Sequence, residues 1–129
     1  VNYAPVGLNT GGGNTLGNTG VPVKTLPFDS IVQFTREVSG QAYIRMVKID
    51  CEGAEWPILL TADSLHLIQE IIGEYHEIDN VDDFPAIKVG NYNKYDKQVL
   101  IDYLTEKDFE VTIVEEMGKL GKFRAVREK

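Results

Sequence analysis

The sequence predicts an α/β fold in which strands and helices alternate before the chain ends in an antiparallel β-hairpin. The first supporting observation is a largely apolar run at residues 44–49, which stops at a turn of acidic residues and glycine. Such a run is typical of a buried parallel strand whose carboxyl end opens into a polar turn. The second is a pair of strand-like segments at residues 109–115 and 122–127, joined by a glycine-containing connection at residues 117–121. This composition favours a hairpin.

The amino-terminal part of the chain divides into a region with few apolar residues and the beginning of the core. Residues 1–6 are interpreted as a strand remnant, and residues 7–20 as a glycine-rich loop with too few apolar side chains to pack. The α/β core is expected over residues 21–129. An extended piece leads to Pro27, which suits the first turn of a helix. The whole chain is therefore expected to form a single partial domain.

The middle of the chain is predicted to alternate between strands and helices. The strand at residues 44–50 precedes a helix with Pro57 in its first turn, where the missing N–H does no harm. A second helix is expected to begin at Asp63 or Ser64 and to continue to about residue 69. A strand at residues 71–76 follows.

The last helix is separated from that strand by a long loop at residues 79–92, and loops of this length are usually functional or mobile. Asn93 is predicted to cap the helix, with Asp96 in its first turn, because both residues complement free N–H groups there. Apolar residues recur on one helical face: Val99, Leu100, Tyr103 and Leu104.

Composition is that of an ordinary globular domain, with 129 residues, 43 % hydrophobic and 26 % charged. The net charge of −7 and the lack of a basic stripe argue against nucleic-acid binding. No apolar run approaches the length of about 20 residues that spans a bilayer, and no signal peptide is visible. We therefore expect no membrane association and a cytoplasmic location. The single Cys51 excludes an internal disulfide.

Ionisable side chains occupy the ends of two neighbouring predicted strands. Asp50 and Glu52 follow the first strand, and Glu74 and His76 end the next. Because the carboxyl ends of parallel strands meet where open α/β sheets bind ligands, we expect these four residues at one mouth. His76 is the best candidate for a base, since its ordinary pKa lies near neutrality. Glu55 is interpreted as a residue that favours the positive end of the following helix.

Alternatives remain open for this cluster. A histidine that is merely hydrogen-bonded at a strand end has the same sequence position as a base. Capping explains one acidic residue here, but one cap does not need three. Carboxylate oxygens with an imidazole can also hold a divalent cation that polarises a diol.

The turn Lys48-Ile49-Asp50-x-Glu52-Gly53-x-Glu55, followed by Glu74-x-His76, resembles the signature of the FkbM-type methyltransferases. The resemblance covers roughly residues 1–128, although Asp108 stands where glycine is usual in the family. It implies a Rossmann-like class I methyltransferase sheet, S-adenosylmethionine as the cofactor, and a hydroxyl acceptor on a small molecule or carbohydrate.

The positions of these residues at the strand ends suggest their roles. We predict that Asp50, Glu52, Glu74 and His76 are catalytic residues, since a carboxylate or an imidazole near the acceptor can take the hydroxyl proton, and that Asp50 also contacts the cofactor. The resemblance does not require a metal, and none is expected.

The first half of such a domain is not found in the sequence. In the family, a strand runs into a glycine-rich loop, and the next strand ends in an acid that holds the ribose. The glycines near residue 11 do not fit, because Gly-x-Gly-x-x-Gly from Gly11 would need glycine where Leu16 stands. We therefore expect the distal, carboxy-terminal half of the domain.

Three functional classes follow. The first is the acceptor-side half of a methyltransferase, and the second is a non-catalytic fragment that keeps the fold. The third is a binding module whose acidic mouth holds a cation or a polar ligand. In the absence of a neighbouring first strand, residues 44–50 would form an open apolar edge, so we expect the isolated chain to be a homo-oligomer.

Overall fold

The computed structural model of the protein describes residues 2–6, 9–14 and 20–127. The amino-terminal strands form a small antiparallel sheet in the order β2-β1-β3: β1 (Asn2–Val6), β2 (Asn9–Asn14) and β3 (Val21–Pro22). The strand predicted at residues 1–6 is confirmed over Asn2–Val6, but the predicted loop is wrong over Asn9–Asn14. That prediction weighed apolar side chains, whereas strand pairing uses backbone N–H and C=O groups. The rest of the predicted loop, at residues 7–8 and 15–19, lies outside the described ranges.

A four-stranded mixed sheet forms the second and larger sheet, in the order β4-β5-β7-β6. Its strands are β4 (Val47–Ile49), β5 (Glu70–His76), β6 (Phe109–Met117) and β7 (Leu120–Arg127). β4 runs parallel to β5, and β7 runs antiparallel to both of its neighbours. The predicted α/β class and the carboxy-terminal hairpin are confirmed.

Three α-helices accompany the strands: α1 (Phe28–Ser39), α2 (Glu55–Thr61) and α3 (Lys97–Glu106). Single turns of 3₁₀ helix occupy Leu65–Leu67, Val81–Asp83 and Pro85–Ile87, so the last two lie within the predicted loop at 79–92. Pro57 lies in the first turn of α2, as the sequence predicted, whereas Pro27 has extended backbone and immediately precedes α1 instead of lying in its first turn.

Two predicted boundaries around β4 are wrong because backbone pairing prevails over the local sequence pattern. The strand predicted at residues 44–50 is regular only over Val47–Ile49, and Ile44 forms an isolated parallel bridge to Ile68. The same bridge ends the helix predicted to run to residue 69 after one 3₁₀ turn. Ile44 donates its N–H to the carbonyl of Leu67 and accepts a hydrogen bond from the N–H of Gln69.

The predicted cap of α3 is also wrong, because Asp96 occupies the capping position instead of Asn93. The Asp96 carboxylate accepts a hydrogen bond of 2.9 Å from the N–H of Val99. The helix does not begin earlier, since Asp96 has extended backbone and Tyr95 exchanges two hydrogen bonds with Ile78.

The hydrophobic core lies between one face of the four-stranded sheet and the helices α2 and α3. Because side chains alternate along a strand, Ile71, Tyr75 and Phe123 point into this core, and none is more than 2 % exposed. Gly73 lies on the same face of β5, where a Cβ atom would come within 2.4 Å of the carbonyl oxygen of Ile49. The close approach of β4 to β5 therefore requires glycine at this position.

The first helix presents an apolar stripe to solvent. Ile31, Phe34 and Val38 lie on one helical face and are 47 %, 65 % and 72 % exposed. β4 lies at an edge of its sheet, as expected, with β5 as its one neighbour in the described part of the chain. Lys48 in the middle of β4 is exposed, and a charged residue on an edge strand disfavours pairing with another chain. The stripe on α1 is thus a better surface for association than the β4 edge.

We expect the chain to form a homo-oligomer that buries the α1 stripe, because exposed apolar patches are commonly interaction surfaces. Phe34→Glu should shift the sedimentation coefficient at micromolar concentration towards that of the monomer. Gln33→Glu adds the same charge to an exposed position of α1 outside the stripe and should leave the oligomer intact. A wild-type chain that sediments as a monomer would contradict the prediction.

The capping role of Asp96 predicts a specific stability difference. Asp96→Ala removes the acceptor for the N–H of Val99 and should lower the free energy of unfolding by about 1 kcal/mol. Asn93→Ala changes an exposed residue outside the helix and should leave the free energy of unfolding nearly unchanged. Chemical denaturation of the two variants measures the difference, and equal values would refute the assignment of the cap.

Candidate functional site

A histidine and two glutamates meet beyond the carboxyl ends of β4 and β5. His76 is the last residue of β5, Glu52 lies in the turn after β4, and Glu55 is the first residue of α2. The ring atom Nδ1 of His76 lies 2.8 Å from Oε1 of Glu55, and the ring atom Nε2 lies 3.2 Å from Oε2 of Glu52. The imidazole therefore bridges two carboxylates, one at each nitrogen.

Glu55 is fully buried and uses both of its oxygen atoms. In addition to the ring of His76, Oε1 accepts a hydrogen bond of 2.8 Å from the backbone N–H of His76. Oε2 accepts one of 2.8 Å from the backbone N–H of Gly53. Glu55 does lie in the first turn of α2, as predicted, but its hydrogen bonds join the acidic turn to the end of β5.

The neighbouring residue of α2 holds the backbone of the same histidine. The indole N–H of Trp56 donates a hydrogen bond of 2.7 Å to the carbonyl oxygen of His76. Trp56 is 1 % exposed and stacks on Tyr95, with ring centroids 4.8 Å apart. Trp56 is therefore part of the hydrophobic core, and the backbone of the histidine is held from the core side.

The turn that carries Glu52 has an uncommon backbone conformation. Glu52 has φ of 50° and Gly53 has φ of 100°. A non-glycine residue in the left-handed region costs about 1 kcal/mol or more, and such strain persists only where surrounding contacts hold it. Here the hydrogen bond from Gly53 to Glu55 holds the turn, which keeps the Glu52 carboxylate beside the imidazole.

The two carboxylates change the titration of the imidazole. The hydrogen bond to Glu55 raises the pKa of His76 above its ordinary value, and partial burial opposes this shift. The negative charges of Glu55, Glu52 and Glu74 raise the pKa further. The structure thus favours the imidazolium form of His76 at pH values where a free histidine is neutral.

A cavity of about 410 Å³ opens next to the imidazole. Glu52 and His76 form one wall, and Phe84 and Asp83, from the long loop predicted at residues 79–92, lie on its lining. The rest of the lining comes from the segment that follows β5: Glu77, Ile78, Asp79 and Asn80. A small molecule in this cavity can reach both the carboxylate of Glu52 and the ring of His76.

Asp50 and Glu74, the other two predicted site residues, lie at a second cavity of about 400 Å³. This cavity opens on the sheet face opposite the core and also contacts Lys122. The structure thus brings Glu52 and His76 into direct contact at the first cavity, whereas Asp50 and Glu74 line the second, so the four residues do not line one common cavity as expected. Sequence reasoning missed the bonds that Glu55 makes to His76, and its one signal was a third carboxylate in a short turn.

Another groove, of about 760 Å³, lies between α1 and residues 63–67 and contains none of the predicted site residues. Its Asp29 carboxylate accepts hydrogen bonds of 3.1 Å and 2.9 Å from the N–H groups of Asp63 and Ser64. The hydrogen bond from the Ser64 hydroxyl lowers the pKa of Asp29, and the two backbone hydrogen bonds lower it further. Asp29 therefore links α1 to the segment that follows α2, which is a structural role.

Two further properties bear on function. Within residues 2–6, 9–14 and 20–127, no group of three or more histidine, cysteine, aspartate and glutamate side chains is arranged to hold a metal ion. Of the helices that the structure describes, none combines the length and the apolar character needed to cross a bilayer.

Comparisons with models of protein families, with curated proteins and with solved structures found no match to this chain. The functional interpretation therefore depends on the geometry of the site and on the motifs of the sequence.

The raised pKa of His76 predicts how stability depends on pH. The protonated ring stabilises the folded state, so its contribution is complete below the unfolded-state pKa of about 6.5 and is lost as pH rises through the folded-state pKa. Thermal or chemical denaturation between pH 6 and 9 should show a larger loss of stability for the wild type than for His76→Gln. His66→Gln removes the other histidine and serves as the control. Identical pH dependence in wild type and His76→Gln would contradict the assignment.

Proposed function

We propose that the chain is the acceptor-side half of an S-adenosylmethionine-dependent methyltransferase that methylates a hydroxyl group of a small molecule or carbohydrate. The observation that carries the proposal is the state of His76. Its Nδ1 atom is hydrogen-bonded to the buried Glu55, and its Nε2 atom faces Glu52. His76 and Glu52 both line the 410 Å³ cavity. A hydroxyl group that enters this cavity can reach a nitrogen able to take its proton.

The fold supports the same proposal. A Rossmann-like methyltransferase sheet of the kind that the signature turn implies has parallel strands followed by an antiparallel hairpin in its distal half. β4 and β5 are parallel, and β6 and β7 form the hairpin. The acidic turn and His76 both lie at the carboxyl edge of the parallel pair, where open α/β sheets bind ligands.

S-adenosylmethionine supplies the electrophilic methyl group when it is bound. Asp50 is exposed directly after Ile49, the last residue of β4, so its carboxylate is free to accept hydrogen bonds from the cofactor. The glycine-rich loop and the ribose-binding acid of the family are not among these 129 residues, so the proposed site also requires a cofactor half outside them.

The residues of this chain then align the acceptor and remove its proton. The side chain of Glu52 is 37 % exposed and can rotate away from His76, which lets the acceptor hydroxyl take its place at Nε2. The displaced carboxylate can still hydrogen-bond a neighbouring hydroxyl of a sugar or diol and orient it. The negative charges of Glu55 and Glu74 stabilise the imidazolium that forms.

The alternative function is that of a binding module whose acidic residues hold a cation. Such a module would use the same cavity. No additional observation favours it, and no three-residue metal cluster is found in the described ranges.

The test is methyl transfer by a protein that joins this chain to a cofactor half. Release of S-adenosylhomocysteine is measured with a panel of monosaccharides and simple alcohols. His76→Ala should lower the rate by roughly 100-fold or more, the usual contribution of a general base. The wild-type rate should rise with pH through the folded-state pKa of His76, above the ordinary value, because only the neutral ring takes a proton.

His66→Ala, which removes the other histidine, is the control and should keep the wild-type rate and pH profile. A His76→Ala variant with the wild-type rate and pH profile would assign the imidazole to structure alone.

A further inference from the structure

We infer that Glu55 is the positioning residue of this site, a single buried carboxylate that fixes both the ring of His76 and the turn that carries Glu52. The inference rests on the proposed function in one respect, namely that His76 is the group that takes the proton. Its structural content stands on hydrogen bonds and burial alone.

The buried carboxylate of Glu55 has the imidazole of His76 as its charge partner. Glu55 is 0 % exposed, and no lysine or arginine of the part of the chain that the structure describes forms a salt bridge with it. Its hydrogen-bond donors are the backbone N–H groups of Gly53 and His76 and the imidazole. A buried carboxylate is costly unless it is paired and hydrogen-bonded, so the imidazole is its charge partner.

Glu55 also determines the tautomer of the His76 ring. Two backbone donors point at the Glu55 oxygens, which makes the side chain an acceptor and places a hydrogen on Nδ1 of His76. In the neutral ring, Nε2 then carries the lone pair. Nε2 is the atom that faces Glu52, so Glu55 determines that the basic nitrogen points towards the substrate side.

Glu55 also holds the turn that carries Glu52, on the opposite side of the ring. Oε2 of Glu55 holds the N–H of Gly53, the residue directly after Glu52. Glu52 and Gly53 both have left-handed backbone conformations, and this strained turn would relax without the bond. The position of the Glu52 carboxylate relative to Nε2 therefore also depends on Glu55.

Stability alone gives no reason for a carboxylate at this position. A buried ion pair commonly adds no stability over well-packed apolar side chains of similar volume. Trp56 and Leu59 of the same helix show that α2 packs on the core through apolar side chains. A carboxylate at position 55 is explained by the orientation of the imidazole.

The experiment uses nitrogen NMR on the purified 129-residue chain, whose two histidines give two separable ring systems. In the wild type, above the pKa of His76, the ring should be predominantly the Nδ1–H tautomer. Glu55→Gln keeps the size of the side chain and removes its charge. The pKa of His76 should then fall by about one unit or more, and the Nδ1–H population should decrease. The His66 signals serve as the internal reference.

Glu52→Gln is the matched control, because it removes the charge on the other side of the same ring. It should lower the pKa of His76 by less than Glu55→Gln does, since Glu52 is 37 % exposed, and it should retain the Nδ1–H tautomer. A folded Glu55→Gln chain with unchanged pKa and tautomer of His76 would overturn the inference, and so would a larger effect of Glu52→Gln.

If Glu55→Gln does not fold, the tautomer of His76 in the wild type tests the inference. A neutral His76 that is protonated at Nε2 would overturn it. The measurement uses neither cofactor nor acceptor. If this chain has the expected tautomer and the protein that joins it to a cofactor half shows no methyl transfer, the proposed function is rejected and the positioning role of Glu55 stands.

Discussion

The bonds from Glu55 and Trp56 to His76 are the constraint on which the rest of the site depends. These consecutive residues begin α2, and between them they bind the imidazole, the N–H and the C=O of the last residue of β5. Helix and strand are thereby held in one relative position at the edge where β4 ends. Because Trp56 is itself fixed by stacking on Tyr95, the geometry of the site is set by the hydrophobic core.

Much of the fold could be predicted because its elements have strong local signals. The hairpin of β6 and β7 has alternating apolar residues around a glycine turn, and Pro57 marks the first turn of α2. The errors arose where distant backbone groups pair. Asn9–Asn14, whose sequence has no apolar side chain, pairs with Asn2–Val6, and the bridge of Ile44 to Ile68 ends a helix that the local sequence favours. Such pairings depend on residues far apart in the chain, which periodicity does not detect.

The site was predictable to the extent that it follows from strand register. Ile49 pairs with Gly73. Glu52 and His76 each lie three positions further along the sequence from this pair, so they approach one another. The function of Glu55 was not predictable, because an acidic residue in a first helical turn has an ordinary explanation. Its bond to Gly53 occurs together with left-handed backbone at Glu52, a conformation that a glutamate rarely adopts and that the sequence does not indicate.

The tryptophan beneath the histidine has an optical consequence. The chain has one tryptophan, and its indole N–H is bonded to the backbone of His76 while its ring stacks on Tyr95. The intrinsic fluorescence of this protein therefore originates largely at the candidate site, without an added label. Emission excited at the indole band would report on the protonation of the neighbouring imidazolium and on any ligand that displaces the backbone of β5. The protein thus carries its own spectroscopic probe at the position where its chemistry is proposed to occur.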